Sequence, residues 1–333
     1  MLNTDEQNLF EMSEMTAHVN VDPFVPNQIG ELFQGDTEGV STTTVLIDSR
    51  EGNIEIVNDT VRGSAPQQAK AINNGNPVAL VAKHMPLERV ISPSEFQNVR
   101  EFGSDGDRLA TLESVRNKYL KQMKDSHALT LEQQRVQAIK GTLLNSTGGP
   151  VDLYAAFGAS QIEVEMNLDN ASTDVRSRVM DAKEASEESL GDLFVPGSKV
   201  PCGRAWFRSF VEHENVREAY QRWQDGAALR SDVRQGFVFG DVEFFQYRGS
   251  VDGTPLIGDN EAFLLPQANI YKTRFAPGHF AEAANTIGLP MYAVSKELDY
   301  GRGIGLLTES NPISFVSRPQ AIIKLHRNTV AAP

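Results

Sequence analysis

The chain has 333 residues, of which 40% are hydrophobic and 23% charged, so it can bury the core of one large domain or two ordinary ones. No apolar stretch approaches the ~20 residues that a membrane helix needs, and we expect no secretory signal at the amino terminus. The lone cysteine, Cys202, excludes an internal disulfide framework and a multi-cysteine zinc site, as is typical of a soluble protein of a reducing compartment. A net charge of −13 argues against a protein that grips nucleic acid through a basic footprint.

The charge is unevenly distributed along the chain. Residues 1–60 contain twelve carboxylates against one basic residue, Arg50, which is a net charge of −11. Residues 61–140 contain twelve Lys and Arg against eight Asp and Glu, which is a net charge of +4. An acidic segment beside a basic one favours pairing within one chain or between neighbouring chains, although a solvated acidic tail has the same composition.

The amino-terminal third alternates between β-branched runs and polar, turn-rich segments. Residues 1–38 show no helical stripe and are predicted to form an extended arm. The pattern then predicts a β-hairpin, a long polar loop and a returning strand, over Thr42–Ile47 with Ile54–Val57, Arg62–Asn76 and Val78–His84. Because this unit has no apolar core of its own, we expect it to lie against another surface.

A long amphipathic helix follows. Ser92-Pro93-Ser94-Glu95 has the pattern of a capping box and predicts a helix start. Apolar residues three or four positions apart then predict a helix over 107–144, which would be ~57 Å long. The segment Thr130–Gln133 resembles a second capping box and predicts a bend, while Gly148-Gly149-Pro150 is expected to end the helix.

The remainder of the chain mixes short helices and strands, so the predicted fold class is α+β. Helices are predicted over Thr173–Leu190, Arg204–Phe210 and Asn215–Trp223. Strands are predicted over Gln161–Leu168, Leu193–Val195, Phe237–Phe239, Val242–Tyr247, Ala262–Leu265, Met291–Val294, Ile313–Val316 and Ala321–Leu325. The aromatic residues Trp206, Phe207, Phe210, Tyr220 and Trp223 are expected to pack in a core, with a partner-facing surface as the alternative.

No segment carries a complete catalytic or cofactor motif. Gly301–Gly305 lacks the spacing and the following helix of a dinucleotide loop, and we interpret it as a flexible connection. His213-Glu214 lacks the second histidine of a zinc-protease helix, since position 217 is Arg217. Cys202 precedes a predicted helix, which would lower its pKa, but packing is the ordinary role of a lone cysteine. The sequence therefore predicts no catalytic residue, no cofactor and no metal.

Several segments taken together resemble the lambda-type phage major capsid proteins. They comprise Leu109–Leu144 with Leu129-Thr-Leu-Glu-Gln, Val151–Gly158, Trp206–Phe210, Glu261–Leu265 and Ser310–Pro319 before a closing strand. No single segment is diagnostic, whereas their order and spacing from about residue 20 onward are fairly specific. The resemblance implies the Hong Kong 97 phage capsid fold and a head-shell protein that forms pentamers and hexamers around double-stranded DNA.

The resemblance also implies a division of the chain. The expected parts are a 1–39 arm, a 40–90 E-loop, a 91–169 P-domain with the 107–144 spine helix, a 170–303 A-domain, and a 304–333 return to the P-domain. The sequence begins directly with the arm, so we expect a separate scaffolding protein. A portal and a decoration protein are further expected partners, and DNA is expected inside the shell without sequence-specific binding. We expect assembly in the bacterial host cytoplasm and no membrane contact.

The charge division suggests which residues join neighbouring subunits. The candidate intersubunit contacts are Arg62, Lys70, Lys83 and Arg89 on the basic side and Asp22, Glu31, Asp36 and Glu38 on the acidic side. The nearest alternative function is an encapsulin-type nanocompartment shell, which has the same fold around cargo enzymes. A cytoplasmic α+β enzyme is a second alternative, for which the scattered histidines and lone cysteine offer no site.

Overall fold

The structure is a computed structural model that describes residues 15–16, 20, 28–47, 78–95, 97, 112–144, 149–191, 195–219, 236–251 and 253–328. Its helices are α1 Gly30–Phe33, α2 Leu112–Ile139, α3 Leu153–Ala156, α4 Val175–Ser189 and α5 Arg204–Glu212. Its strands are β1 Thr37–Gly39, β2 Thr44–Ile47, β3 Val78–Val81, β4 Met85–Ile91, β5 Thr142–Leu144, β6 Pro150–Asp152, β7 Ile162–Glu165, β8 Ser198–Cys202, β9 Phe237–Phe239, β10 Val242–Gln246, β11 Ser250–Val251, β12 Thr254–Pro255, β13 Glu261–Pro266, β14 Tyr271–Phe275, β15 Tyr292–Glu297, β16 Ile304–Ser310, β17 Pro312–Val316 and β18 Ile323–His326. The predicted α+β class is confirmed.

A six-stranded sheet, in the order β7-β18-β13-β8-β10-β9, lies at the centre of the fold. Side chains alternate between its two faces along each strand. On one face, residues such as Phe244 and Leu264 share a core with α4 and α5. On the other face, Phe245 and Leu265 share a core with the end of α2 and with β17. The sheet therefore separates two hydrophobic cores.

The long helix α2 is shorter than the sequence pattern predicts. It ends at Ile139 rather than at residue 144, because Gly141 turns the chain with a φ of +77°. Residues Thr142–Leu144 form β5, which pairs with β6, so the Gly148–Pro150 segment that was expected to end the helix leads into a strand instead. At 1.5 Å per residue the 28 residues of α2 span about 42 Å. Residues 107–111 lie outside the described residues.

Two other expectations about this region have different outcomes. The capping box is confirmed, because Glu95 Oε1 accepts hydrogen bonds from the Ser92 backbone N–H and hydroxyl at 3.1 and 3.3 Å. The second capping box at Thr130 is wrong, because α2 continues through it and the Thr130 hydroxyl donates to the Ser126 carbonyl at 2.9 Å. A threonine within a helix bonds back along its own turn instead of capping a new one.

The two ends of the predicted strand–loop–strand unit pair with each other. β2 pairs antiparallel with β3, with Thr44 opposite Val81 and Ile47 opposite Val78. The predicted partner strand Ile54–Val57 and the Arg62–Asn76 loop lie outside the described residues. β3 ends at Val81, and the chain continues into β4, which joins β15 and β16 in another sheet.

In the carboxyl-terminal half, most of the predicted elements that fall on described residues are present, and five strands were missed, namely β8, β11, β12, β14 and β16. The β9–β10 hairpin turns through Gly240 and Asp241, both with positive φ as a type I′ turn requires. β8 and β14 had no strand prediction, because proline or charged residues interrupt their apolar runs. Gly301–Gly305, which was interpreted as a flexible connection, is the turn of the β15–β16 hairpin together with the first two residues of β16. Residues 192–194 and 220–223 lie outside the described part of the chain.

We expect Gly141→Ala to lower the free energy of unfolding by about 1–3 kcal/mol, because a side chain is strained at positive φ. An added Cβ would also overlap the ring of Tyr154. Urea unfolding of the purified chain measures the loss. Gly35→Ala is the control, since nothing lies within 4 Å of its added Cβ. Equal effects at the two glycines would contradict this account of the helix end.

Candidate assembly interface

The described end of the arm is a strand of the folded subunit. β1 pairs in parallel with β14, with Thr37 opposite Thr273. Just beyond β1, the Val40 N–H donates to the Phe275 carbonyl at 2.8 Å, and its carbonyl accepts from the Gly288 N–H at 3.0 Å. Gly39 is required here because an added Cβ would overlap the carbonyl oxygen of Gly288. The chain therefore lies tightly between the backbones of Phe275 and Gly288 just before β2.

Apolar side chains before β1 fix the same segment to the core. Ile29 and Phe33 are fully buried. The Phe33 ring lies 5.3 Å from the ring of Tyr271 on β14, and the Arg135 guanidinium of α2 lies 5.5 Å from its centroid. The arm is thus held between the long helix and the β1-β14-β17 sheet.

Asp36 forms the strongest charged contact of the arm. Its two carboxylate oxygens lie 2.9 Å from Lys272 Nζ and 2.6 Å from Arg274 Nη1, and its side chain is only 12% exposed. Arg274 Nη1 also donates to the Asp36 carbonyl at 3.0 Å. Burial opposes ionisation of this carboxyl, but the hydrogen bonds and charges of Arg274 and Lys272 outweigh it and lower the pKa of Asp36.

The other two described acidic candidates form weaker pairs within the same chain. Glu31 Oε2 lies 3.2 Å from Lys199 Nζ on β8. Glu38 Oε2 lies 3.6 Å from Arg274 Nη2, and the Glu38 side chain is 68% exposed. Exposed pairs of this kind contribute about 0–1 kcal/mol each. The sequence analysis missed the partners Lys199, Lys272 and Arg274, because they lie on β8 and β14, which it did not predict as strands.

Arg89 is held by its own subunit. Its Nη2 lies 3.2 Å from Glu95 Oε2 and 3.1 Å from the Tyr119 hydroxyl, and its guanidinium lies 4.7 Å from the centre of the Tyr119 ring. The Tyr119 hydroxyl also donates to Glu95. This hydrogen bond is the main reason that the pKa of Glu95 is lowered. The cluster fastens β4 to the first turns of α2.

The remaining basic and acidic candidates are not brought together among the described residues. Lys83 lies half-buried between β3 and β4 and has no ion pair with a described residue. Asp22, Arg62 and Lys70 lie outside the described residues. Contacts of all eight candidates with a neighbouring subunit stay a prediction.

A buried polar cluster joins α2 to the arm. Glu132 is 2% exposed, and its Oε1 accepts hydrogen bonds from the Ile29 N–H and the Tyr247 hydroxyl, each at 3.2 Å. Burial raises the pKa of Glu132, against the opposing effect of these bonds and of Arg135. Burial also lowers the pKa of Arg135 to about 10. The position of the arm therefore depends on an ionisable residue inside the core.

Several of the residues that the sequence analysis considered for chemistry or for a partner surface are buried in the structure. Cys202 is fully buried, and burial raises the pKa of its thiol, so the lowered pKa expected from a nearby helix start is wrong. His213 Nε2 lies 3.0 Å from the Asn170 carbonyl. Trp206, Phe207 and Phe210 are buried as expected, with Trp206 and Phe210 stacked at 5.2 Å.

Neither a metal centre nor a membrane-spanning helix is found in the described part of the chain. No three or more His, Cys, Asp or Glu side chains of these residues come together in a group that could hold a metal ion. None of the described helices is both long and apolar enough to cross a membrane. The described geometry is therefore that of packed strands and surface ion pairs.

Sequence comparison relates the chain to phage shell proteins over its whole length. The model of the family described as phage major capsid protein E matches residues 11–327. The major capsid protein of Pseudomonas phage KPP10 is 27% identical, over 96% of this chain and 97% of that protein. The major capsid protein of Salmonella phage Felix O1 is 24% identical, over 97% of this chain and 98% of that protein.

Solved structures show the same fold at low sequence identity. A putative capsid protein of an Escherichia coli CFT073 prophage has a TM-score of 0.60 and 13% identity, over 98% of this chain and 99% of that one. The capsid protein in the structure of cyanophage P-SCSP1u has a TM-score of 0.53 and 13% identity, over 93% of this chain and 91% of that one. At this identity the likeness concerns the fold alone.

We expect Asp36→Asn to lower the free energy of unfolding by about 1–3 kcal/mol at pH 7, because it removes charge-assisted hydrogen bonds. The folded pKa of Asp36 is lowered, so its contribution is complete above the unfolded value of about 3.8 and is lost as the pH falls through the folded value. The difference between the variant and the wild type should therefore disappear in strong acid. Urea titrations of the purified chain at several pH values measure it.

Glu38→Gln is the matched control for this prediction. Its carboxylate is largely exposed and lies farther from Arg274, so we expect a change below about 0.5 kcal/mol at every pH. A pH-independent loss in Asp36→Asn would show that packing, and not the ion pair, carries the effect.

Proposed function

Because the chain belongs to the phage major capsid protein E family, we propose that its copies assemble into pentamers and hexamers, which close into an icosahedral head shell around a double-stranded DNA genome. The chain is a major capsid protein of the virion, a structural protein and not an enzyme. The observation that carries this conclusion is the family match over residues 11–327, from the arm to the last described strand. The resemblance to tailed-phage capsid proteins and the Hong Kong 97-like fold are confirmed. An encapsulin-type shell and an α+β enzyme are not favoured.

We also propose the division into a 1–39 arm, a 40–90 E-loop, a 91–169 and 304–333 P-domain, and a 170–303 A-domain. Pairing of β2 with β3 supports the E-loop, because it brings together the two ends of the segment 48–77. The two larger parts share sheets. β7 and β18 of the proposed P-domain extend the sheet of the A-domain, and β15 of the A-domain pairs with β16.

The family membership supports several external partners. A scaffolding protein would set the curvature of the growing shell, a portal would occupy one vertex, and a decoration protein would bind outside. DNA would fill the interior without sequence-specific contacts. A chain of net charge −13 would also bind it only weakly, because it offers little counterion release. Assembly would take place in the host cytoplasm, without membrane contact.

Intersubunit pairing through the acidic arm is proposed for the segment ahead of the docked strand. Glu31, Asp36 and Glu38 already have partners in their own chain, so Asp22 and the carboxylates before it are the principal candidates. Their proposed partners on a neighbour are Arg62, Lys70 and Lys83. Arg89 is the less available candidate, because Glu95 and Tyr119 already hold it in its own subunit. Each exposed pair contributes only about 0–1 kcal/mol, so the effect depends on repetition over many subunits.

Negative-stain electron microscopy tests assembly directly. The chain is expressed in bacteria alone and together with the candidate scaffolding protein from the same phage genome. We expect closed shells, or rings of five and six subunits, in at least one sample. A chain that stays monomeric in both samples contradicts the proposed function.

We expect deletion of residues 2–20 to lower the yield of particles and to weaken the dependence of their dissociation on salt. Salt screens exposed ion pairs, so particles that lose the pairs lose the corresponding salt response. Light scattering across a sodium chloride gradient measures the midpoint of dissociation. An unchanged yield and midpoint would show that the arm does not join subunits electrostatically.

A second arm variant separates charge from packing. Met15 is 2% exposed, and the Thr16 hydroxyl accepts from the Ala293 N–H at 3.1 Å, so the deletion also removes contacts within the subunit. A full-length chain with Asp5→Asn, Glu6→Gln, Glu11→Gln and Glu14→Gln keeps those contacts. We expect it to reduce the salt response as the deletion does, with a smaller loss of yield.

A further inference from the structure

Helix α5 carries two arginines beside a groove. Arg204 and Arg208 are exposed and lie four residues apart, so they face the same side of the helix. With Phe207, Val211 and Glu212 they line a groove of about 420 Å³. Apolar side chains between two guanidinium groups suit a protein segment that presents carboxylates.

These arginines are unfavourably placed in an isolated subunit. Like charges four residues apart on a helix repel one another. Arg204 is also the first residue of α5, where the helix dipole presents its positive end. The first turn contains no acidic residue, and the N-cap Gly203 has no side chain to accept from the free N–H groups. The Asp259 carbonyl accepts from the Trp206 N–H in this turn at 2.8 Å, but no described carboxylate forms an ion pair with the two arginines.

Helix α4 has the opposite arrangement. Glu184 and Glu188 are exposed and lie four residues apart, with Glu187 half-buried beside them. They occupy the carboxyl-terminal half of the helix, where the dipole presents its negative end. The last turn of α4 contains no basic residue. The carboxylates repel one another. The end of the helix itself is capped from elsewhere in the chain, because Arg318 Nη1 donates to the Leu190 carbonyl at 2.8 Å.

Neither group of charges is neutralised by an ion pair within the described part of the chain. No described carboxylate lies within ion-pair distance of Arg204 or Arg208, and no described cation does so for Glu184, Glu187 or Glu188. Other surface carboxylates of the same subunit do have partners, such as Glu31 with Lys199. Two clusters of opposite charge thus remain without an ion pair. An anion from outside would stabilise the α5 arginines, and a cation would stabilise the α4 glutamates.

We propose that the arginine groove of α5 receives the acidic end of α4 from a second copy of this chain. The two surfaces differ, so the contact is heterologous, and repetition of a heterologous contact closes a ring. The inference rests on the proposed function, because it assigns a contact within the pentamers and hexamers. Gln246 and Arg248 complete the lining of the groove. DNA is the less suitable occupant, since the apolar side chains of Phe207 and Val211 between the arginines cannot bind phosphate.

Disulfide cross-linking tests the contact itself. The variant Arg208→Cys/Glu184→Cys is oxidised in assembled particles and separated on a non-reducing gel. We expect a ladder of linked chains that ends at five and six, and no ladder from either single variant. Cys202 does not interfere because it is fully buried. Assembled particles of the double variant that give no ladder overturn the inference.

Charge reversal tests the energetics. We expect Arg204→Glu/Arg208→Glu and Glu184→Lys/Glu188→Lys each to reduce the yield of particles at least tenfold, and the four substitutions together to restore it. The control Arg176→Glu/Arg217→Glu changes the net charge as the first variant does, at exposed positions outside the two clusters, and should assemble normally. A four-substitution chain that assembles no better than the two-substitution chains contradicts the pairing.

The outcomes separate this inference from the proposed function. Wild-type chain that forms neither rings nor shells contradicts the function and, with it, the inference. Wild-type shells together with normal assembly of Arg204→Glu/Arg208→Glu overturn the inference alone. If those variant shells also retain less DNA, the groove binds nucleic acid instead of a second copy.

Discussion

A buried carboxylate on the long helix connects parts of the chain that are far apart in sequence. Glu132 accepts from the backbone of Ile29 in the arm and from the hydroxyl of Tyr247 after β10. An ionisable group in the core destabilises the fold unless it is hydrogen-bonded, and removal of its partners would leave an unsatisfied charge. The arm, the helix and the central sheet are therefore positioned together. The proposed surface contacts between subunits lie on elements that this hydrogen-bonded cluster holds in place.

The docked arm changes what the acidic segment can contribute to assembly. Asp36 is paired with Lys272 and Arg274 before any neighbour arrives, and β1 is already part of a sheet. Residues from about 28 to 40 are thus a preformed component of the subunit, and their ion pairs contribute to its folding. The proposed contacts with neighbours therefore use surfaces that the subunit leaves charged and unpaired, such as the α4 and α5 clusters.

Assembly through weak contacts is favoured when each isolated subunit has charged groups that only a neighbour can neutralise. Like charges one turn apart on a helix, as at Arg204 and Arg208 or at Glu184 and Glu188, reduce the stability of the isolated chain slightly and increase the gain on association. Because each contact is small, a wrongly placed subunit can dissociate before the shell closes. Such reversibility is compatible with an assembly in which many identical chains must find equivalent positions.

The sequence by itself determined the fold class, the presence of the long helix and the family. Periodicity identified α2, α4 and α5 because their apolar faces repeat every three or four residues. The resemblance, which family membership confirms, depended on the order and spacing of Leu109–Leu144, Val151–Gly158, Trp206–Phe210, Glu261–Leu265 and Ser310–Pro319. The capping box at Ser92 was also predictable, since its residues are neighbours in the chain.

Only the tertiary structure decided where α2 ends and which residues pair with the acidic arm. Gly141 ends the helix because Tyr154 and β6 pack against the turn, and no local signal distinguishes it from a glycine within a helix. Lys272 and Arg274 lie more than 230 positions from Asp36 in the chain, on a strand whose alternation of apolar and charged residues is too short to be recognised. The sequence predicted that opposite charges would pair. Which charges meet depends on the distance between them in the folded chain, because an ion pair forms only between groups that folding brings within a few ångströms.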